Sequence, residues 1–216
     1  MWKIKDSLPI KAGILKFEGL SITHDKTAYL QIIKLGLKYE SEFKKEPVSQ
    51  IPGIQNARDF FRAVGIDPTK RRPSSEALLR RALNSKGFFQ VNTLVDTANY
   101  CSLDFLLPIC VYDAAKIDKL VEIRKGKKHE SYQALTGKEL NLAGRYVIAD
   151  EKGAFGSPIT DSIRSAVSKS TSSAFICIFA PGSFPDSILS EYMNIASNKV
   201  TEICAGKCSE KLIIQG

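Results

Sequence analysis

Apolar residues recur along this chain with a period that changes between its two halves. Asp25 can cap a helix running to about Phe43, in which Tyr29, Ile32, Ile33 and Leu37 fall on one side and lysines on the other, the spacing of a half-buried helix. Ahead of it, Ile10 to Glu18 alternates loosely around Gly13 with Ile14 and Phe17, which predicts a strand broken at Gly19. Past Pro47 and the Ile51, Pro52, Gly53 turn, Ile54, Ala57, Phe61 and Val64 share a helical face that Gly65 ends. Ser74, after Pro73, suits the N-cap of a short helix over Ser75 to Leu83. There Leu79, Ala82 and Leu83 point inward, Glu76 and Arg80 pair at i,i+4 on the outer side, and Lys86 and Gly87 close the end. A further helix is expected from Thr93 to about Leu103, packed through Leu94, Ala98 and Cys101.

Beyond Asp113 the pattern turns to strands. Leu120, Val121 and Ile123 read as one, Lys125 to Lys127 as its turn, and Tyr132 to Leu135 as its partner. Tyr146 to Ala149 and Ala174 to Ala180 are buried-strand candidates. Between them Phe155 to Ser173, dense in Ser and Thr, is expected to be an irregular loop at a sheet end. Pro185 opens a closing helix in which Ile188, Tyr192, Ile195, Ala196, Val200 and Ile203 keep helical spacing until Gly206, and Leu212 to Ile214 either adds an edge strand or docks against the sheet. Without a repeat or a long linker, residues 1–216 read as a single layered α+β domain, a mostly antiparallel or mixed sheet with flanking helices.

Composition narrows the function classes. Lys and Arg number 31 against 23 Asp and Glu, a net +8 that favours polyanions. The excess is local: between Arg58 and Lys86 stand eight bases and three acids, and the Lys70, Arg71, Arg72 run is either a solvated loop or an RNA-phosphate contact. Five cysteines without a zinc-type spacing fit free thiols of a reducing cytoplasm, and neither a leader nor a membrane span is read, so the expected location is cytoplasmic. No Walker loop, GxGxxG, HExxH or GxSxG occurs, and His24 and His129 lie in charged, loop-like contexts, so no cofactor, metal or His-dependent triad is expected.

One set of polar residues is spaced like an apolar one. Asn92, Asp96 and Asn99 share a face of the Thr93 helix. As structural groups they would be a cap, an ion pair with a neighbouring Arg and a solvated amide; as functional groups they would form a binding stripe. The words RPSSEALLRRAL, NTLVDTANY, LPICVYDAAKI and ELNLAGRYVIADEKGA, in that order between about Val48 and Gly206, resemble the B3/B4 domain of the phenylalanyl-tRNA synthetase beta subunit. Residues 1–47 would then be a strand and helix added to that domain. The resemblance implies a free-standing domain that binds the aminoacylated 3′ end of tRNA and hydrolyses a wrongly attached amino acid, typically tyrosine on the phenylalanine tRNA. It implies no amino-acid activation, which belongs to a different fold, and no cofactor or membrane, and it names no protein partner.

By that analogy Asn99, Asp96 and Thr160 would be catalytic, and Asn92, Cys110, Tyr112, Gly156 and Ser157 would shape the substrate site. Arg71, Arg72, Arg80 and Arg81 would hold RNA phosphates. Two positions depart from the family pattern. Bacterial members carry a His where this chain has Cys110, and their glycine-rich loop is here Gly156, Ser157, Pro158, Ile159, Thr160, Asp161. Cys110 lies in an apolar stretch with no neighbouring base, which suits an inert core thiol better than a nucleophile. Two readings stay open: an editing hydrolase acting in trans, and a non-catalytic RNA or small-ligand binder of the same fold.

Overall fold

The computed structural model describes residues 1–216. Two strands rich in β-branched and aromatic residues lie at its centre, β2 (Ile10–Glu18) and β9 (Ser173–Pro181), antiparallel with Ile14 opposite Cys177. β3 (Ile109–Asp113) pairs with the other side of β9, and β10 (Lys207–Gln215) with the other side of β2, giving the order β10-β2-β9-β3. The tail is thus a nine-residue edge strand, and the strand near the N-terminus is interior to the sheet.

Alternation sorts this sheet into two faces. Leu15, Phe17, Ile176 and Ile178 point one way, against α4 (Thr93–Phe105) through Leu94, Cys101 and Phe105 and against α5 (Asp186–Cys204) through Leu189, Met193 and Val200. Ile10, Ile14, Tyr112, Cys177 and Phe179 point the other way. Over them lie α2 (Ile54–Ala63), through Phe60 and Phe61, and a second sheet formed by β1 (Trp2–Ile4), β4 (Val121–Lys125), β7 (Tyr146–Asp150) and β8 (Gly153–Gly156) in that order. α1 (Thr27–Phe43) and α3 (Ser74–Leu83) close a third cluster with α2 and α4 around Ile32, Ile54, Leu79 and Leu103. No helix is long and apolar enough to cross a membrane.

The α+β architecture with a mixed sheet core agrees with expectation; several local readings do not. β4 pairs with β1 and β7, whereas β5 (Ser131–Gln133) pairs with β6 (Glu139–Asn141) in a separate ribbon. Val121 and Ile123 belong to the core beneath the central sheet, while Tyr132 joins Leu142 and Val147 in another cluster, so the two expected hairpin arms bury against different partners. Ser74 does not cap α3: Pro73 holds the cap position and no side chain bonds the first turn. Glu76, expected outside, is 1 % exposed and receives Arg58 Nε at 2.8 Å and Arg80 Nε at 2.9 Å. Burial raises its pKa, and the two guanidiniums outweigh that and hold it below the usual range. α5 stops at Ala205, which is left-handed at φ 56°, one residue before Gly206.

Candidate functional site

The face of the central sheet that carries Cys110 and Tyr112 meets the end of β8 and the loop after it. Tyr112 is fully buried, and its Oη donates to Asp161 Oδ1 at 2.8 Å. Gly156 makes that pair sterically feasible: a Cβ there would collide with Tyr112 Oη and lie 2.9 Å from Asp161 Oδ1. The loop between them is closed on itself. Ser157 Oγ donates to Thr160 O at 2.8 Å and accepts the Ile159 and Thr160 amides at 3.4 and 3.3 Å, and Tyr132 Oη donates to Thr160 O at 2.5 Å. Farther on, Arg164 forks onto both oxygens of Asp150 at 2.9 and 3.0 Å and reaches Gly153 O and Lys116 O. The Ser/Thr-rich segment is therefore anchored at both Asp161 and Arg164, which its composition did not indicate.

Burial sets the electrostatics here. It lifts Asp161 to about 6, against the opposing hydrogen bonds from Tyr112, the Ser157 amide and Cys110. It pushes the Cys110 thiol well up, and the charge on Asp161 adds to that. Tyr112 rises for the same two reasons. Cys110 is accordingly a protonated thiol at neutral pH, not a poised nucleophile.

Next to this cluster lies a narrow apolar cavity of about 20 Å³, lined by Ile10, Phe60, Val64, Cys110, Ile123, Tyr146, Val147, Ile148, Ser157, Pro158 and Phe179. It has room for about one water. Its neighbour is a much larger groove, about 630 Å³, that shares Val64, Tyr146, Ser157 and Pro158 with the cavity. The groove's other walls carry Arg62, Lys70, Arg71, Lys125 and Arg145 against a single acid, Asp67. Asp67 is occupied by the Thr69 hydroxyl and amide, and Arg62 by Asp59. By contrast the side chains of Lys70, Arg71 and Arg145 make no ion pair or hydrogen bond within the chain, and Lys125 does no more than stand over the Tyr146 ring at 5.8 Å. Four cations held in no ion pair thus line one hollow, Lys70 with the Asp67 charge nearby. No cluster of three His, Cys, Asp or Glu side chains that could hold a metal is present.

The expected site residues divide. Cys110 and Ser157 line the cavity, and Tyr112 and Gly156 stand directly behind it. Thr160 belongs to the same loop, where its carbonyl is the hydrogen-bond hub. Arg71 lines the groove.

The expected convergence of the helical stripe with these groups is not observed. Asn92 Oδ1 accepts the Val95 amide at 2.9 Å and Asp96 accepts the Val91 amide at 3.0 Å, so both close the N-terminus of α4, on the other face of the central sheet. Burial raises the pKa of Asp96 and the Val91 amide opposes it; no arginine pairs with it. Asn99 is half-buried, makes no side-chain hydrogen bond and lines neither hollow. Arg72 is exposed and outside the groove wall, Arg80 is bound to Glu76, and Arg81 donates to the Gly87 and Lys86 carbonyls at the end of α3. None of these three lines the groove; Arg80 and Arg81 take their partners from their own helix and the loop that leaves it.

Sequence reasoning missed Arg62, Lys125, Arg145 and Asp161. Arg145 and Tyr146 stand inside a recognised word, yet Tyr146 reads only as the start of a strand and Arg145 carries no local signal, and Asp161 follows the Ser/Thr positions directly.

Comparison with known proteins identifies the family and the fold. A sequence model of the family described as B3/4 domain matches residues 56–184. The chain is similar to the phenylalanine–tRNA ligase beta subunit of Zymomonas mobilis, 29 % identical over 167 residues, covering 66 % of this chain and 21 % of that protein. It is also similar to the same subunit of Bartonella henselae, 42 % identical over 81 residues, covering 37 % of this chain and 10 % of that protein. The chain therefore spans about a tenth to a fifth of the length of these curated relatives. Among solved structures, an N-terminal fragment of the phenylalanyl-tRNA synthetase beta subunit from Pyrococcus horikoshii aligns with a TM-score of 0.50 and 15 % identity, over 99 % of this chain and 49 % of that one. That likeness concerns the fold.

Proposed function

Because the chain belongs to the B3/4 domain family, we propose that it binds RNA through the cationic groove, takes the acylated 3′ end of a tRNA, and hydrolyses a wrongly attached amino acid there in trans. The observation that carries this reading is the adjacency of the two hollows: Lys70, Arg71, Lys125 and Arg145 line a groove that shares Val64, Tyr146, Ser157 and Pro158 with an apolar recess. A phosphate backbone calls for cations not already neutralised by the protein. An acyl side chain at the end of that backbone calls for an apolar recess just beyond them. The relatives are subunits of a ligase for phenylalanine and its tRNA, which is the support for tRNA as the RNA.

In the reaction a water adds to the ester carbonyl, the bond from that carbon to the terminal ribose oxygen breaks, and the amino acid leaves from the tRNA's freed hydroxyl. Groups that orient the water and donate to the developing oxyanion are what the protein must supply. The Tyr146 hydroxyl is a donor at the cavity without a hydrogen-bond partner in the chain, whereas the Cys110 thiol is directed at Asp161. The recess has room for about one water, so this reading requires it to widen to admit an acyl side chain. Tyrosine on the phenylalanine tRNA is the first substrate to test.

A second reading, a binder of the same fold without the reaction, is favoured by one observation. The Ser157 hydroxyl is engaged by Ile159 and Thr160, and the cavity contains neither a histidine nor an ionised carboxylate. Deacylation assays separate the two. Amino acid released from mischarged tRNA above the uncatalysed rate, and lost in Arg71→Ala/Arg145→Ala, supports the hydrolase. Salt-dependent tRNA binding without release supports the binder, and neither binding nor release sinks both.

A further inference from the structure

Between α3 and α4 the aromatic residues of one short segment are treated unequally. Phe88 docks its ring against α1 at Gly36, where a Cβ would lie 2.7 Å from the ring, and its carbonyl accepts Tyr29 Oη at 3.2 Å. On the other side, Gln90 Nε2 donates to the His24 and Asp25 carbonyls at 2.8 and 3.1 Å. Phe89, between these two anchors, is 74 % exposed, more than any other large hydrophobic residue except Met1. One face of its ring is covered: the Arg81 guanidinium stands 4.3 Å from the centroid, itself fixed by the Lys86 and Gly87 carbonyls. The other face is open. Folding has fixed the backbone on both sides of this ring without burying the ring, although burial is the ordinary fate of a phenylalanine.

We propose that Phe89, backed by Arg81, is a stacking platform for an unpaired base of the RNA held in the groove; this rests on the RNA-binding reading above. A flat aromatic face flanked by cations is what single-stranded nucleic acid requires, because every base has a π-face and phosphates follow it. Arg81 supplies positive charge against the ring, and Lys86, whose carbonyl Arg81 binds, adds a second cation in the adjoining turn. The nearby carboxylates are engaged: Asp25 by Thr27 and Thr23, and Glu40 by Lys44 and Ser85. α3 begins three residues after Arg71, which lines the groove, and its ten residues span about 15 Å, so groove and platform lie within reach of one strand. An isolated ring among charges fits a base better than an apolar protein surface, which would require a continuous patch.

The test uses the full chain with a short single-stranded RNA and with its duplex. Phe89→Ala is expected to weaken single-strand binding about tenfold, with the salt dependence unchanged and the duplex unaffected. Phe89→Trp keeps the affinity, and its fluorescence is quenched by the single strand; Trp2, 6 % exposed, gives a constant background. If Phe89→Ala binds like the unaltered chain while Arg71→Ala/Arg145→Ala does not, the platform is overturned and the groove stands. If single strand and duplex weaken equally, or the Trp signal ignores RNA, stacking is overturned and the open ring is left to a protein partner. If the unaltered chain binds no RNA, the groove reading falls and the platform falls with it.

Discussion

Asp161 shows how a single residue ties the cavity to its surroundings. Its carboxyl accepts the Tyr112 hydroxyl and lies where burial raises its pKa to about 6, above the ordinary 3.8. The folded state therefore holds this proton more tightly than the unfolded chain does. Its contribution to stability is full below about pH 4 and is lost as pH rises through about 6. Glu130, held down to about 2 by Arg124, acts in the opposite sense at lower pH and is common to both proteins compared. Asp161→Asn keeps an acceptor for Tyr112 and should flatten the fall in melting temperature between pH 4 and 7; parallel curves for the two proteins would refute this. Gly156→Ala should destabilise by roughly 1–3 kcal/mol in denaturant titrations, because the added methyl meets the Tyr112–Asp161 pair. Cys110 and Tyr112 were legible as site neighbours only through the family resemblance; the structure sends both to one face of the strand. Asp161 was not, because a lone acid in a hydroxyl-rich loop looks solvated until the phenol 49 residues away is known.

At the scale of elements, helix ends explain why the polar stripe of α4 does not reach the cavity. Asn92 and Asp96 each hold a backbone amide at the start of that helix. Asn92→Ala should cost about 1 kcal/mol of stability and leave RNA affinity unchanged, measured by denaturation and by filter binding; a loss of affinity without a loss of stability would restore the stripe to the site. α3 makes a similar point. Its apolar face was readable from the spacing of Leu79, Ala82 and Leu83, but Glu76 is buried because Arg58, 18 residues earlier on α2, comes to meet it. Glu76→Ala leaves two guanidiniums without their partner and should destabilise by roughly 2–4 kcal/mol, Arg80 being partly solvated. Periodicity reports which face of a helix is inward, but not which charge the neighbouring helix will neutralise there.

For the whole molecule, the net +8 was plain in the sequence and its location was not. The basic run at Lys70 and Arg71 provides one wall of the groove, while Lys125, at the end of β4, and Arg145, in the turn just before β7 of the second sheet, provide another. These walls come together because α2 and that sheet cover the same face of the central strands. The α+β class and most of the elements followed from hydrophobic period and turn residues, whereas a groove assembled from distant segments depends on strand pairing that no local pattern encodes. In the proposed function the four unpaired cations act together on one RNA strand. The most direct test of this is the slope of log affinity for single-stranded RNA against log salt. Four phosphate contacts predict a slope of about −3, falling in magnitude by about 1.4 in Arg71→Ala/Arg145→Ala. A slope near zero, or one unmoved by that double substitution, would contradict it.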